Sequence, residues 1–184
     1  DDLLNYIKEQ KSKDIQWRKG RAFCLVYHPG EEREQLIKTV FNQYFSDNAL
    51  NPTATPSLAE LENETVSMCA DLFSGDADVC GNITSGGTES ILLAVKTARD
   101  YFRKQRPDVL APNVVLPVSA HPAFMKAFQY FGLAYKTVAL KSDCSVDVSQ
   151  MEQAIDSSTI MLVGSAPAYP HGVMDDIHSI AALA

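Results

Sequence analysis

From residue 78 onward, short apolar runs alternate with segments of helical period, and this alternation constrains the fold more than any other feature of the chain. The runs are Val79–Thr84, Val114–Ser119, Tyr135–Leu140 and Thr159–Ser165. Between the first two, Thr88–Lys104 repeats Ile91, Val95, Ala98 and Phe102 at helical spacing. Pro122–Phe131 is a second helix, closed by Gly132. Ser149–Ile155 is a short helix with Asp147 or Ser149 near its cap, and a last helix begins near Asp175 or Asp176. Strands alternating with helices predict βαβ crossovers and a mainly parallel sheet. The runs are nearly continuous Val, Ile and Leu, as expected where helices cover both faces. The predicted class is α/β, a mainly parallel sheet flanked by helices. Such sheets bind ligands beyond the carboxyl ends of their strands. Loops opening near Ser85, Ser119 and Ser165 share that edge, so their chemistry should converge on one site.

The first third of the chain has a different rhythm. Residues 1–20 are charged and poorly patterned, which predicts a loose or partner-dependent segment. Arg21–Tyr27 reads as a short strand or extended stretch, and His28-Pro29-Gly30 as a turn. Glu31–Phe45 is a helix with Leu36, Ile37, Val40, Phe41, Tyr44 and Phe45 on its apolar positions. Asp47–Pro56 is a loop. Ser57 then caps a further helix, with Glu60 completing a capping box and Gly75 closing it. The expected division of the chain falls near residue 56, between 1–56 and 57–184.

Bulk properties exclude several classes of function. The net charge is −7 over 184 residues, which argues against a nucleic-acid partner. Runs such as Ile160–Val163 are far too short to cross a bilayer, so no transmembrane segment is expected in this chain. Cys24, Cys69, Cys80 and Cys144 match no metal-binding spacing, and they read as reduced thiols of a soluble, cytoplasmic protein. The chain opens at Asp1 without Met and stops at Ala184 inside a helical pattern, which predicts a fragment of a longer protein.

The loop with the most chemistry is Thr84-Ser85-Gly86-Gly87-Thr88-Glu89-Ser90. Two adjacent glycines let backbone approach a ligand closely. A helix follows at once, and its first N–H groups lack partners and carry partial positive charge. From these residues alone the loop is either a phosphate cradle or a tight strand-to-helix turn. It is neither GxGxxG nor a P-loop, which argues against a dinucleotide or a nucleoside triphosphate.

Ser119-Ala120-His121-Pro122-Ala123-Phe124 is the second loop. Its imidazole could stack on a flat ring or move a proton, or be an ordinary surface group. The third loop, Gly164–Gly172, could hold a ligand through Ser165 or Ala166, or be a rigid turn made by Pro167 and Pro170. Asn48-Ala49-Leu50-Asn51-Pro52 offers amides to a headgroup, although Asn and Pro are also ordinary loop residues. Tyr27 and His28 follow the early strand and could reach a site.

Taken in order, Tyr27-His28, Asn48-Ala49-Leu50, the Thr84–Ser90 loop, Ala120–Phe124 and Tyr169-Pro170-His171-Gly172 resemble the sphingosine-1-phosphate lyase family. That family belongs with the group II decarboxylases among the fold-type I pyridoxal-phosphate enzymes. The resemblance runs from about Arg21 to the end. It implies an N-terminal helical arm with a polar loop over 1–56, and the first part of a large domain over 57–184. It implies pyridoxal 5'-phosphate as cofactor, held by Gly87 and Thr88, with Ser85 and Gly86 shaping the loop. It implies His121 stacked on the pyridine ring, Ser165 near the cofactor, and Asn48, Asn51 and Tyr27 toward the substrate. Asn51 stands where the family usually has His; it can donate a hydrogen bond to phosphate but carries no charge.

The implied activity is cleavage of the C2–C3 bond of a phosphorylated sphingoid base, a long-chain amine, to phosphoethanolamine and a long-chain aldehyde. The implied assembly is a homodimer. The Schiff-base lysine and the Asp that pairs with the pyridine nitrogen would lie beyond residue 184, so these 184 residues alone should be inactive. Two other readings stand beside it. One is a group II amino-acid decarboxylase. The other is a non-catalytic α/β module that binds a phosphorylated ligand.

Overall fold

A computed structural model describes residues 1–22, 26–48 and 50–184. The chain forms two compact units, Asp1–Gly81 and Asn82–Ala184.

The second unit holds the sheet. Its strands are β1 (Asn113–Pro117), β2 (Ala134–Val138) and β3 (Thr159–Leu162), all parallel, in the order β2-β1-β3. β1 is buried along its whole length because it lies between the other two. Side chains alternate across a pleated strand. Val114 and Leu116 therefore join Val95, Ala127, Phe128, Leu133 and Val163 in one core. Val115 turns the other way, into a second core with Val138, Val146, Met151 and Ile180. The first core is covered by α4 (Gly87–Gln105) and α5 (Ala123–Phe131), the second by α6 (Val148–Ala154) and α7 (Ile177–Leu183). Helices on both faces are what the continuous apolar runs predict.

Local signals set the ends of these helices. Gly132 takes the left-handed conformation (φ 62°) and stops α5, a place where a Cβ would be strained. The Asp147 side chain accepts from Gln150 N at the start of α6, and Asp176 accepts from Ser179 N at the start of α7. Below the sheet, Asp156 accepts from Lys136 Nζ (2.6 Å), Asn113 Nδ2 (3.0 Å) and Ser158 N (2.8 Å). The Lys136 ammonium first, then the Asn113 amide, hold the Asp156 carboxyl below the usual carboxylate range. Lys136 is thus committed to an ion pair.

The first unit contains α1 (Asp2–Lys11), α2 (Glu31–Tyr44) and α3 (Pro56–Leu72), with a 3₁₀ turn at Trp17–Lys19. The expected loose segment over 1–20 is largely helical instead. Its Leu3, Leu4, Tyr6 and Ile7 sit at helix-compatible spacing among good helix formers. Arg18 pairs with Glu34 and with Glu31, and its guanidinium lies 4.4 Å from the Trp17 ring centre. The hydrogen bonds from Arg18 and then Lys38 lower the Glu34 carboxyl to about 2.

Two further expectations need correction, and a third falls partly outside the described residues. α3 starts one residue before Ser57, with Thr55 as cap and Pro56 in the first turn, where proline's missing N–H costs nothing. At its far end Ser74 takes the left-handed position (φ 58°), while Gly75 N donates back to Ala70 O at 2.8 Å. Val79–Thr84 is not a strand, because no neighbouring strand among the described residues takes up its backbone hydrogen bonds. Of Arg21–Tyr27, expected as a short strand or extended stretch, Phe23–Leu25 fall outside the described residues, and Val26 and Tyr27 belong to no strand.

Candidate active site

The strand order sends the chain from β1 to β2 on one side and then back past β1 to β3 on the other. Loops leaving the carboxyl ends of β1 and β3 diverge at that point, and a crevice opens between them. A cavity of about 450 Å³ lies there. Its wall includes Ser119 and His121 after β1, Ser165, Tyr169 and His171 after β3, and Ile91 on α4. The volume is within the range of small-molecule sites.

His121 is fixed by its own loop. Its Nδ1 accepts from Ala123 N at 3.1 Å, in the first turn of α5. With Nδ1 accepting, the neutral ring carries its proton on Nε2. Phe124 N donates to His121 O at 3.0 Å, so backbone and ring are both held.

Ser165 is held by a residue that sequence reasoning noted only as a helix start. Asp175 is buried, and its carboxylate accepts from Ser165 N (2.8 Å) and from Val146 N (2.8 Å). Asp175 N returns a bond to Ser165 O at 2.9 Å. Gly164, just before, has no room for a side chain: a Cβ would come within 2.8 Å of Ile177 Cδ1 and 2.7 Å of Ile180 Cδ1. The loop is thereby pinned flat against α7. An acidic residue before a helix normally signals only a cap, so no sequence pattern marks Asp175 as a loop clamp.

The Gly-Gly loop opens α4, and Ile91 on that helix reaches the cavity wall. Glu89 Oε2 accepts from Ser85 N (2.7 Å) and Ser85 Oγ (2.6 Å). These bonds lower the Glu89 carboxyl and commit the Ser85 hydroxyl to shaping the turn. Thr84 Oγ1 lies 2.7 Å from Ser90 Oγ and donates to Gly86 O at 3.1 Å. Among the described residues, the N–H groups of Gly87 and Thr88 find no acceptor. A Cβ built on Gly86 or Gly87 meets nothing within 4 Å, so open space lies over these groups.

Tyr27, Asn48 and Asn51 belong to the first unit. Tyr27 is exposed. Asn48 Oδ1 accepts from Leu50 N (3.1 Å) and Asn51 Oδ1 from Thr53 N (3.0 Å), both as local turns. Their side-chain nitrogens donate to nothing among the described residues. In the same unit, His28, Glu31 and Glu34 offer ligand atoms within 4.8 Å of one another. Arg18 and Lys38 already neutralise Glu34, so the cluster is an ion-pair network. No helix of the chain is long and apolar enough to cross a membrane among the described residues.

The fold is that of the pyridoxal-phosphate-dependent, group II decarboxylase-like enzymes. Glutamate decarboxylase of Lactobacillus brevis shares it with a TM-score of 0.84 at 24% identity, over 98% of this chain and 42% of that one. Within that class, the chain is similar along its whole length to sphingosine-1-phosphate lyases. It is 43% identical to sphingosine-1-phosphate lyase 1 of Mus musculus over 183 residues, covering 100% of this chain and 32% of the relative. It matches the sphingosine-1-phosphate lyase structure of Burkholderia pseudomallei with a TM-score of 0.91 at 32% identity, over 99% of this chain and 44% of that one. The chain spans about a third of the length of the curated relatives it matches. No protein-family model matches it.

Proposed function

We propose that the full-length protein is a pyridoxal-phosphate-dependent lyase. It cleaves the C2–C3 bond of a phosphorylated sphingoid base to phosphoethanolamine and a long-chain aldehyde. One observation carries this reading: a cavity at the strand switch point, walled by His121, Ser165 and Ile91, the last on the helix that the Gly-Gly turn opens. Similarity to lyases over every part of the chain supports the substrate assignment.

The residues present fit the cofactor. Gly87 and Thr88 have unpaired N–H groups at the positive end of a helix under open space, which suits a phosphate dianion. The flat ring of His121 suits an aromatic partner, and Ser165 lines the same cavity. Bound there, pyridoxal phosphate supplies an electron-withdrawing ring that stabilises negative charge developing at the substrate carbon. The chain's own part is to hold and orient. Thr88 adds its hydroxyl to the phosphate, and the bond from Ala123 N sets the plane of the His121 ring. Asp175 fixes Ser165, and Ser85 with Glu89 shapes the glycine turn. The resemblance assigns Tyr27, Asn48 and Asn51 a substrate-binding role, and the side-chain nitrogens of the two amides donate to nothing among the described residues.

The working form is a homodimer. α1, α2 and α3 bury no residue, and Phe41, Phe45, Met68, Leu72 and Phe73 are exposed. A second copy of the chain would take such surface out of water. Light scattering on the full-length protein should give twice the subunit mass; a single-subunit mass at micromolar concentration would refute the dimer.

Turnover decides the reaction. The full-length protein loaded with cofactor should release a long-chain aldehyde from a phosphorylated sphingoid base. Carbon dioxide from an amino acid, with no aldehyde, would make it a decarboxylase instead. Failure to retain pyridoxal phosphate at all would leave a binding module.

A further inference from the structure

Ser119 stands out among the residues of the cavity wall. Its backbone is set by its neighbours: Val118 N donates to Val138 O (3.0 Å) and Ala120 N to Pro117 O (3.0 Å), tying the loop to the ends of β1 and β2. Yet the Ser119 Oγ is shut away from solvent and has no hydrogen-bond partner. A buried hydroxyl without a partner loses its bonds to water and gains none in return. Proteins leave few such groups, and those that persist tend to mark a role outside the resting fold. Alanine would make the same turn without the loss. The same residue lines the cavity, beside His121 and Ser165. A serine side chain moves among its staggered positions by rotation about a single bond. That rotation can turn Oγ from its dead end toward the cavity.

We propose that Ser119 is a cofactor-binding residue whose hydroxyl acquires its partner only when the cavity is filled. The partner is an anionic oxygen of the cofactor, and the proximity of the ring-stacking His121 favours the cofactor over the substrate. The unpaired oxygen thus costs the ligand-free protein stability and repays it on binding, as expected of a group placed for function. This inference rests on the pyridoxal-phosphate reading above.

The test is Ser119→Ala in the full-length protein stripped of cofactor, with two readouts. Titration with pyridoxal phosphate should show binding about tenfold weaker than wild type, the loss of one hydrogen bond to a charged group. The melting temperature of the cofactor-free variant should equal or exceed that of wild type, because the unpaired oxygen is gone. These opposite signs separate a ligand-facing hydroxyl from a structural one. Unchanged affinity for pyridoxal phosphate would overturn the proposal whatever the melting temperature does. Unchanged cofactor affinity with a raised KM for the phosphorylated amine would also overturn it, since the hydroxyl would then serve the substrate. Should the alanine variant fold poorly, Ser119→Cys keeps the shape with a weaker donor and should bind the cofactor less tightly than wild type; equal binding overturns the proposal. If the wild-type protein itself takes up no pyridoxal phosphate, the cofactor reading fails first and this inference with it.

Discussion

Replacing Gly87 by Val together with Thr88 by Ala in the full-length protein is expected to weaken pyridoxal-phosphate retention by at least about a hundredfold. A hydrogen bond to a charged group contributes about 1.5–3 kcal/mol, and the double change removes or blocks at least two. At about 1.4 kcal/mol per factor of ten, two such bonds account for the expected loss. The variant is informative because the fold itself should tolerate it. A Cβ on Gly87 meets no protein atom within 4 Å, so the valine occupies ligand space and not the core. Both substitutions sit in the first turn of α4, where leaving glycine and threonine does not harm helix propensity. Circular dichroism and the melting temperature of the cofactor-free protein should therefore match wild type. Visible absorbance of the cofactor after dialysis provides the decisive reading. Retention equal to wild type would remove the phosphate cradle from the site and leave only a strand-to-helix turn.

The second large effect concerns stability. Phe128→Ala should cost about 3–5 kcal/mol, the usual loss when a buried aromatic is truncated and its neighbours cannot close the gap. Phe128 is 2% exposed and lies at the centre of the core beneath α4 and α5. Its ring stacks on Tyr135 of β2 at 5.3 Å between centroids, and meets Phe124 at 6.4 Å. Folded domains have about 5–15 kcal/mol of stability in total, so one such loss threatens the whole second unit. Tyr130, two residues along on the exposed side of the same helix, provides the control. Its change to alanine should stay within about 0.5 kcal/mol. Urea unfolding of the two variants measures the contrast; a Phe128→Ala loss under about 1 kcal/mol would mean that this core is not what holds the sheet to its helices.

The two variants probe features of unequal legibility. α4 and α5 were readable because their apolar residues recur at the helical period over several turns. Periodicity is a property of the local sequence. Gly132, Asp147 and Asp176 were readable for the same reason, since a cap is made within a few residues. The Gly-Gly turn announced a possible anion site because it combines backbone freedom with a helix start in one short segment. His121 and Ser165 could be assigned to one edge once the strands were taken as parallel.

Other features depend on partners distant in sequence. Val79–Thr84 has the composition of a strand, but a strand exists only where a neighbour accepts its hydrogen bonds. Residues 1–20 are a different case: they lack a clean pattern, yet local propensity and the Asp14–Gly20 turns organise much of them. Lys136 pairs with Asp156 across twenty residues, a partner that no local pattern names.

By itself, then, the sequence determined the α/β class, the caps at Gly132, Asp147 and Asp176, and the three loops that carry polar groups, because each is written in spacing over a turn or two. Only the tertiary structure decided that β1 lies between β2 and β3, so that its two flanking loops part at the cavity. Only it decided that the Asp175 carboxylate bridges Ser165 and Val146, and that one serine oxygen at position 119 is left without a partner. Burial and pairing are set by chains of residues far apart in sequence, and a short local pattern does not contain them.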